Sequence, residues 1–247
     1  MSATATVVRL QQAQLCCKGC DLREVCHADN EELVGASRDV NNRGRVLERG
    51  DHLFRQGDPL KYLYVIRSGS VKSYVATADG LEQVVRFYLP GELVGLDALG
   101  EEIHTSSVQV LETTSVCRFP YDSLEAWAGR SATVRRKLLR LAGREVAGEH
   151  QRAVLLAQRD AGERLAAFLM ALSNQHASRG YSGREFNLSM SRQDIACFLA
   201  LAVETVSRLF TQFQNQGLIT VDRRHIQLLS PETLNAKFGS ARVTLAG

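Results

Sequence analysis

The sequence predicts an α+β protein in three parts: an antiparallel β-sandwich or barrel, one long helix, and a C-terminal winged helix-turn-helix. Three patterns carry this expectation. Turn residues recur at short intervals from Arg45 to Phe119, the run from Ser131 to Gln158 holds neither proline nor a turn cluster, and two short apolar faces near the C-terminus flank a tight break. With 247 residues, 45% of them hydrophobic, the chain can build two modest cores.

In the first part, short apolar runs are punctuated by Arg49-Gly50-Asp51, Gly57-Asp58-Pro59, Ser68-Gly69-Ser70, Asp79-Gly80 and Pro90-Gly91. Punctuation this regular means a compact antiparallel fold. Asp79-Gly80, between Val71–Ala76 and Val84–Leu89, predicts a two-residue type I′ hairpin, whose central positions both need positive φ. A sensory or scaffold role suits this part better than a catalytic one.

Ahead of it lie Cys17, Cys20 and Cys26, with Cys117 far downstream. Three thiols in one short stretch can wrap one face of a metal centre, and a fourth from the body of the protein would tie that loop down. Zinc and iron-sulfur chemistry both fit the spacing. Cys16 directly precedes Cys17, so Cys16-x3-Cys20 is an alternative ligand spacing; His27 adjoins Cys26 but has no second histidine nearby. No apolar run is long enough to span a bilayer, and Met1–Leu15 is too polar for a secretory segment. A cytoplasmic protein without a membrane partner is expected, and reduced thiols there bind metal more often than they pair.

From Ser131 to Gln158, apolar or small residues fall at Leu139, Ala142, Val146, Ala153 and Leu156, the 3-4 spacing of a coiled-coil seam with Glu149 in the remaining place. A helix this long exceeds what a small sandwich can cover, so a second copy is its expected cover and the protein a homodimer. Glu149 either meets its own copy across the seam and weakens the dimer, or sits where the seam splays into water.

A second helical region, Ala161–Asn174, and a glycine-punctuated loop lead to Ser191, which stands three residues before Asp194 as in a helix N-cap. Ile195, Ala196 and Leu199 form one apolar face; Val206, Leu209, Phe210 and Phe213 form another, with a break at Ala200–Ala202. This makes a helix-turn-helix, and Leu218–Val221 with Ile226–Leu229 make a hairpin wing. Glu204, Ser207 and Arg208 share the outer face of the second helix. Arg can bind guanine O6 and N7, Glu can accept from cytosine N4, and Ser can meet a thymine edge, so the three suit reading double-stranded DNA. The bland alternative is a surface ion pair between Glu204 and Arg208. Cys197, on the first helix, reads as a small buried apolar residue.

Charge agrees without deciding. Lys and Arg against Asp and Glu number 14 and 18 in residues 1–130, 7 and 3 in 131–160, and 9 and 6 in 161–247, within a net +3. No nucleophile-base pair, phosphate loop or paired carboxylates point to an enzyme.

Taken together, several segments resemble oxygen-responsive regulators of the Crp/Fnr family, fumarate-and-nitrate-reduction branch. They are Cys17-x2-Cys20-x5-Cys26, Leu63–Gly69, Gly91-Glu92-Leu93-Val94-Gly95, Leu111–Cys117, Glu163–Leu169 and Val203–Arg208. The resemblance implies a cysteine-rich cluster-binding segment (1–36), a β-roll of cyclic-nucleotide-binding type (37–130), a dimerisation helix (131–160) and a winged helix-turn-helix (161–247). It further implies a 4Fe-4S cluster on Cys17, Cys20, Cys26 and Cys117, a dimer on palindromic TTGAT-type half-sites read by Glu204, Ser207 and Arg208, loss of DNA binding in oxygen, and contact with RNA polymerase through loops such as that around Gly80. Where a cyclic-nucleotide relative carries an arginine for the phosphate, this chain reads Glu101-Glu102-Ile103-His104-Thr105-Ser106-Ser107. Two acidic residues and no arginine predict that no cyclic nucleotide binds.

Overall fold

The computed structural model describes residues 20–22, 45–77 and 79–238; Cys16, Cys17, Cys26 and His27 lie outside the described residues. Two compact units emerge. One takes the chain to Leu81 together with Phe87–Gly143, the other Glu82–Arg86 together with Arg144 onward.

Eight strands build the first sheets: β1 (Arg45–Leu47), β2 (His52–Phe54), β3 (Tyr62–Ser68), β4 (Val71–Ala76), β5 (Glu82–Tyr88), β6 (Leu93–Val94), β7 (Ser107–Val110) and β8 (Thr114–Pro120). They form two four-stranded sheets of order β1-β8-β3-β6 and β2-β7-β4-β5. The period-two alternation of β3 sends Leu63 and Val65 into one buried cluster, while Ile66 and the half-buried Tyr64 face another. Gly69 turns the chain between β3 and β4 at φ +81, and a Cβ there would lie 2.6 Å from Thr113 O, so only glycine fits.

The Asp79-Gly80 turn is wider than expected. Thr77 N–H donates to Leu81 O (2.9 Å) and Gly80 N–H to Thr77 O (2.9 Å), with Gly80 at φ +80. The loop thus closes between Thr77 and Leu81 instead of around two central residues, and the glycine takes the left-handed place of a longer hairpin loop.

Helix α1 (Tyr121–Arg130) was not expected from the sequence; it buries Leu124 and Trp127. Helix α2 (Ala132–Gln158) runs where a long helix was predicted. Its first half buries Val134 and Leu141 in the cluster that also holds Leu22, Leu63, Val65, Phe119 and Trp127.

In the second unit, helix α3 (Ala161–Ser178) starts from a capping box: Asp160 accepts from Glu163 N–H (2.8 Å) and Glu163 from Asp160 N–H (3.0 Å). Strand β9 (Glu185–Asn187), helix α4 (Arg192–Leu199), helix α5 (Val203–Asn215), strands β10 (Ile219–Asp222) and β11 (His225–Leu228), and helix α6 (Pro231–Phe238) follow. The wing is a three-stranded sheet, β10-β11-β9, in which β9 occupies what the sequence marked as loop. No helix among the described residues is long and apolar enough to cross a membrane.

Candidate nucleic-acid interface and thiol site

The helix-turn-helix is locked by local chemistry. Ser191 Oγ accepts from Asp194 N–H (3.0 Å) while Asp194 Oδ2 accepts from Ser191 N–H (2.9 Å), so the expected cap is a full capping box. Helix α4 ends at Ala200, held at φ 52 and ψ 50, and Leu201 N–H reaches back to Ala196 O (2.9 Å). A left-handed alanine costs about 1 kcal/mol. The tight turn is made here without glycine.

Helix α5 buries Val206, Phe210 and Phe213 and turns Glu204, Ser207 and Arg208 to solvent. Glu204 and Arg208 form no ion pair among the described residues; Arg208 Nη2 lies 3.4 Å from Thr205 Oγ1 instead. Their heads are therefore not spent on each other. Ser207 and Thr211 donate to the carbonyls of Val203 (2.9 Å) and Ser207 (3.2 Å), and the outer face continues as a groove lined by Ser207, Arg208, Thr211, Gln212, Asn215 and Gln216. Such a row of donors and acceptors on an exposed helix matches the base edges of a major groove.

Cys197 departs from the apolar reading. It is half-buried, its Sγ donates to Glu82 O (2.8 Å) and accepts from Val84 N–H (3.1 Å), and Gln83 Nε2 donates to its carbonyl (2.6 Å). The thiol completes the exposed backbone groups of a strand end, a polar task.

Two of the four expected metal thiols are described. Cys20 and Cys117 are half-buried and pack against the same apolar cluster, the one that seats Leu22 at 0% exposure. Next to Cys20, Asp21 N–H donates to Gly91 O (2.9 Å) and Asp21 Oδ2 accepts from Leu93 N–H (3.1 Å). These bonds tie Asp21 to the β6 end of the sheet whose strand β8 carries Cys117. Two half-buried cysteines on one apolar cluster offer soft sulfur donors of the kind a thiolate-bound metal or cluster takes. Among the described residues no group of three or more His, Cys, Asp or Glu could hold a metal ion.

The same cluster takes in Val134, Leu138 and Leu141 of α2. On the helix's other side Leu139, Val146 and Val154 are 66%, 55% and 48% exposed. Of the predicted seam, Leu139, Val146 and Ala153 are exposed, whereas Ala142, Glu149 and Leu156 are half-buried within their own chain. Val154, not marked by the 3-4 pattern, replaces Leu156 as the exposed apolar residue near the helix end. Burial pushes the Glu149 carboxyl up; Arg152, 3.7 Å away, pulls it back, and Glu145 adds to the rise.

The loop at 101–107 contains a feature hidden in the sequence. Asp97 Oδ2 accepts from Thr105 N–H (3.0 Å), Ser106 N–H (3.1 Å) and Ser106 Oγ (3.0 Å), while Asp97 Oδ1 faces His104 Nδ1 at 3.2 Å. Burial alone would push this carboxyl up, but hydrogen bonds from His104 and Ser106 outweigh it and hold it below the ordinary range. The chain's own carboxylate thus fills a nest of donors that could otherwise take an anion.

Residues 44–131 match the cyclic nucleotide-binding domain family and residues 163–237 the Crp-like helix-turn-helix domain family. The transcriptional activator protein Anr of Pseudomonas protegens is 42% identical over 91% of this chain and 93% of its own length. The fumarate and nitrate reduction regulatory protein of Escherichia coli is 40% identical over 92% of this chain and 91% of its own. Among solved structures, FixK2 from Bradyrhizobium japonicum matches with a TM-score of 0.75 at 30% identity, covering 80% of this chain and 97% of that one. With both domain families in order and relatives at this identity over nearly the whole length, the chain belongs to the Crp/Fnr family of DNA-binding transcriptional regulators, FNR/Anr type.

Proposed function

We propose that this regulator is oxygen-responsive, carrying a 4Fe-4S cluster on Cys17, Cys20, Cys26 and Cys117 that favours a homodimer bound to palindromic TTGAT-type half-sites. The observation that carries the reading is the shared cluster: Cys20 and Cys117 rest on the apolar residues that also seat Val134, Leu138 and Leu141 of α2. Movement of the cysteine loop is then felt at the inner face of α2, whose outer face shows Leu139 and Val146. When bound, an iron-sulfur cluster supplies an oxygen-labile link among the thiolates. Asp21, next to Cys20, is held against Gly91 and Leu93, the latter on strand β6 of the sheet that includes β8.

Glu204, Ser207 and Arg208 carry the base reading in this proposal, and the absence of a Glu204–Arg208 ion pair among the described residues supports it. The names of the relatives also support it, since fumarate and nitrate are electron acceptors used in place of oxygen. The Asp97 carboxylate in its nest of donors argues against a cyclic-nucleotide ligand, because a phosphate would meet a fixed negative charge. The protein acts in the cytoplasm as a regulator and not an enzyme, and surface loops such as that around Gly80 would meet RNA polymerase.

Anaerobic purification with iron and sulfide analysis, followed by air exposure during a DNA titration, tests the reading. The expected result is bound iron with a broad visible absorption band and DNA affinity that falls in air; Cys20→Ser and Cys117→Ser should each lose iron. Bound zinc with affinity indifferent to air would sink the sensor while leaving the DNA reader standing.

A further inference from the structure

We propose that the wing tip, Arg223-Arg224, is a second DNA contact that reads the narrow A·T minor groove flanking each half-site. The inference rests on α5 being the helix that enters the major groove. Three observations carry it.

The first is backbone strain. Asp222 pairs with His225, so the β10–β11 turn has only Arg223 and Arg224 at its centre, and Arg223 sits at φ +53. Such two-residue turns are made without strain by Asn-Gly or Gly-Gly. A long cationic side chain held in the left-handed region is a cost the turn does not need, and strain of this kind gathers where a side chain is wanted for function.

The second is the state of the guanidinium groups. Arg223 and Arg224 are both exposed, and among the described residues neither head makes an ion pair or a hydrogen bond. Other arginines of this unit are engaged: Arg184 pairs with Glu232 at 3.5 Å, and the Arg192 head lies 3.4 Å over the Phe210 ring.

The third is position. Leu188 N–H donates to Arg224 O (2.8 Å), which ties the tip to the Leu188–Ser191 segment that leads into α4. In a docked helix-turn-helix the first helix crosses the phosphate backbone bordering the groove that the second helix enters. Beyond that backbone lies the minor groove. A tip fastened beside the entry to α4 stands at that groove's edge, and A·T-rich segments narrow it and deepen the negative potential that draws arginine in.

The test is a DNA titration with full-length, anaerobically purified protein on duplexes sharing one palindrome but carrying A·T-rich or G·C-rich flanks. The parent should bind the A·T-flanked duplex roughly 5- to 10-fold more tightly, an effect in the range of single base contacts. Arg223→Gly and Arg224→Ala should bring the two flanks level. Arg223→Gly should also raise Tm, so that its loss of preference is not unfolding. Arg208→Ala, by contrast, should lose half-site discrimination and keep the flank preference. A parent without the preference, or an Arg223→Gly protein that retains it, overturns the inference. So does an equal loss on every flank, which would mean a phosphate contact alone. Failure of the parent to bind either duplex would instead bring down the reading of α5.

Discussion

Replacing Leu139 by alanine should weaken the dimer while sparing the fold. Leu139 is 66% exposed within its own chain, so about two-thirds of its side chain remains to be buried by a partner. Full burial of a leucine is worth about 1.5–3 kcal/mol, which leaves about 1–2 kcal/mol per copy and about twice that for the symmetric pair. Alanine keeps the Cβ, so the loss should be about 2–3 kcal/mol, a roughly 30- to 150-fold rise in the dimer dissociation constant. Because alanine is the strongest helix former and the site is open, monomer stability should hardly change. Sedimentation equilibrium under anaerobic conditions reads the constant directly. Leu141, two residues on and 4% exposed, is the internal control: Leu141→Ala should cost about 2–5 kcal/mol of folding stability instead. A Leu139→Ala dimer constant within threefold of the parent would refute α2's outer face as the interface.

Two other perturbations separate the acidic groups. Glu149 has its carboxyl raised by burial, so whatever stability it contributes is present below the ordinary carboxylate pKa and lost as pH rises through the raised one; a charged Glu149 that faces its own copy across the seam would oppose the dimer at neutral pH. Glu149→Ala should therefore tighten dimerisation at pH 7, by about fivefold if it relieves one like-charge pair worth ~1 kcal/mol, and an unchanged constant would mean that the carboxylate never faces its copy. Asp97 has the opposite sign: its carboxyl is depressed, so its stabilisation is present above the ordinary carboxylate pKa and lost as pH falls through the depressed one. Asp97→Asn should cost about 1–3 kcal/mol at pH 7 and progressively less in acid, read from urea midpoints; a deficit constant with pH would show that the charge is not what holds the loop.

Much of the architecture was legible because its signals are local. The capping residues Ser191 and Asp194 sit within one turn, the apolar faces of α4 and α5 repeat at helical spacing, and Asp79-Gly80 marks a hairpin whatever its exact width. What the sequence hid depends on partners distant in the chain. Strand β9 is three residues long and exists through its pairing with β11, some forty residues on. Helix α1 starts directly after Pro120 with no side-chain cap to announce it. Cys197 could be read as apolar because nothing local reveals that Glu82 and Val84 would present backbone groups to it. On α2 the 3-4 pattern found the outer face at Leu139 and Val146, but drifted at the far end, where Leu155 turns inward to 1% exposure and Val154 outward. Seven-residue spacing and 3.6-residue turns part company over that length.

The Asp97 nest and the thiol site bear on one question, namely what this β-roll senses. Residues 44–131 match the cyclic nucleotide-binding domain family, and within them the backbone donors of Thr105 and Ser106 are satisfied by the Asp97 carboxylate. On the proposed reading a phosphate ligand is disfavoured there, since it would have to displace a group already bound and charged. The proposed input acts elsewhere, at a place packed against α2. Cys20 and Cys117 meet that requirement, because the apolar cluster beneath them is continuous with Val134, Leu138 and Leu141. If that coupling carries the signal, Asp97 can be changed to asparagine with loss of stability but little loss of oxygen response. Shortening Leu138 to alanine should instead uncouple iron binding from dimer strength, leaving the metal in place and the DNA affinity indifferent to air.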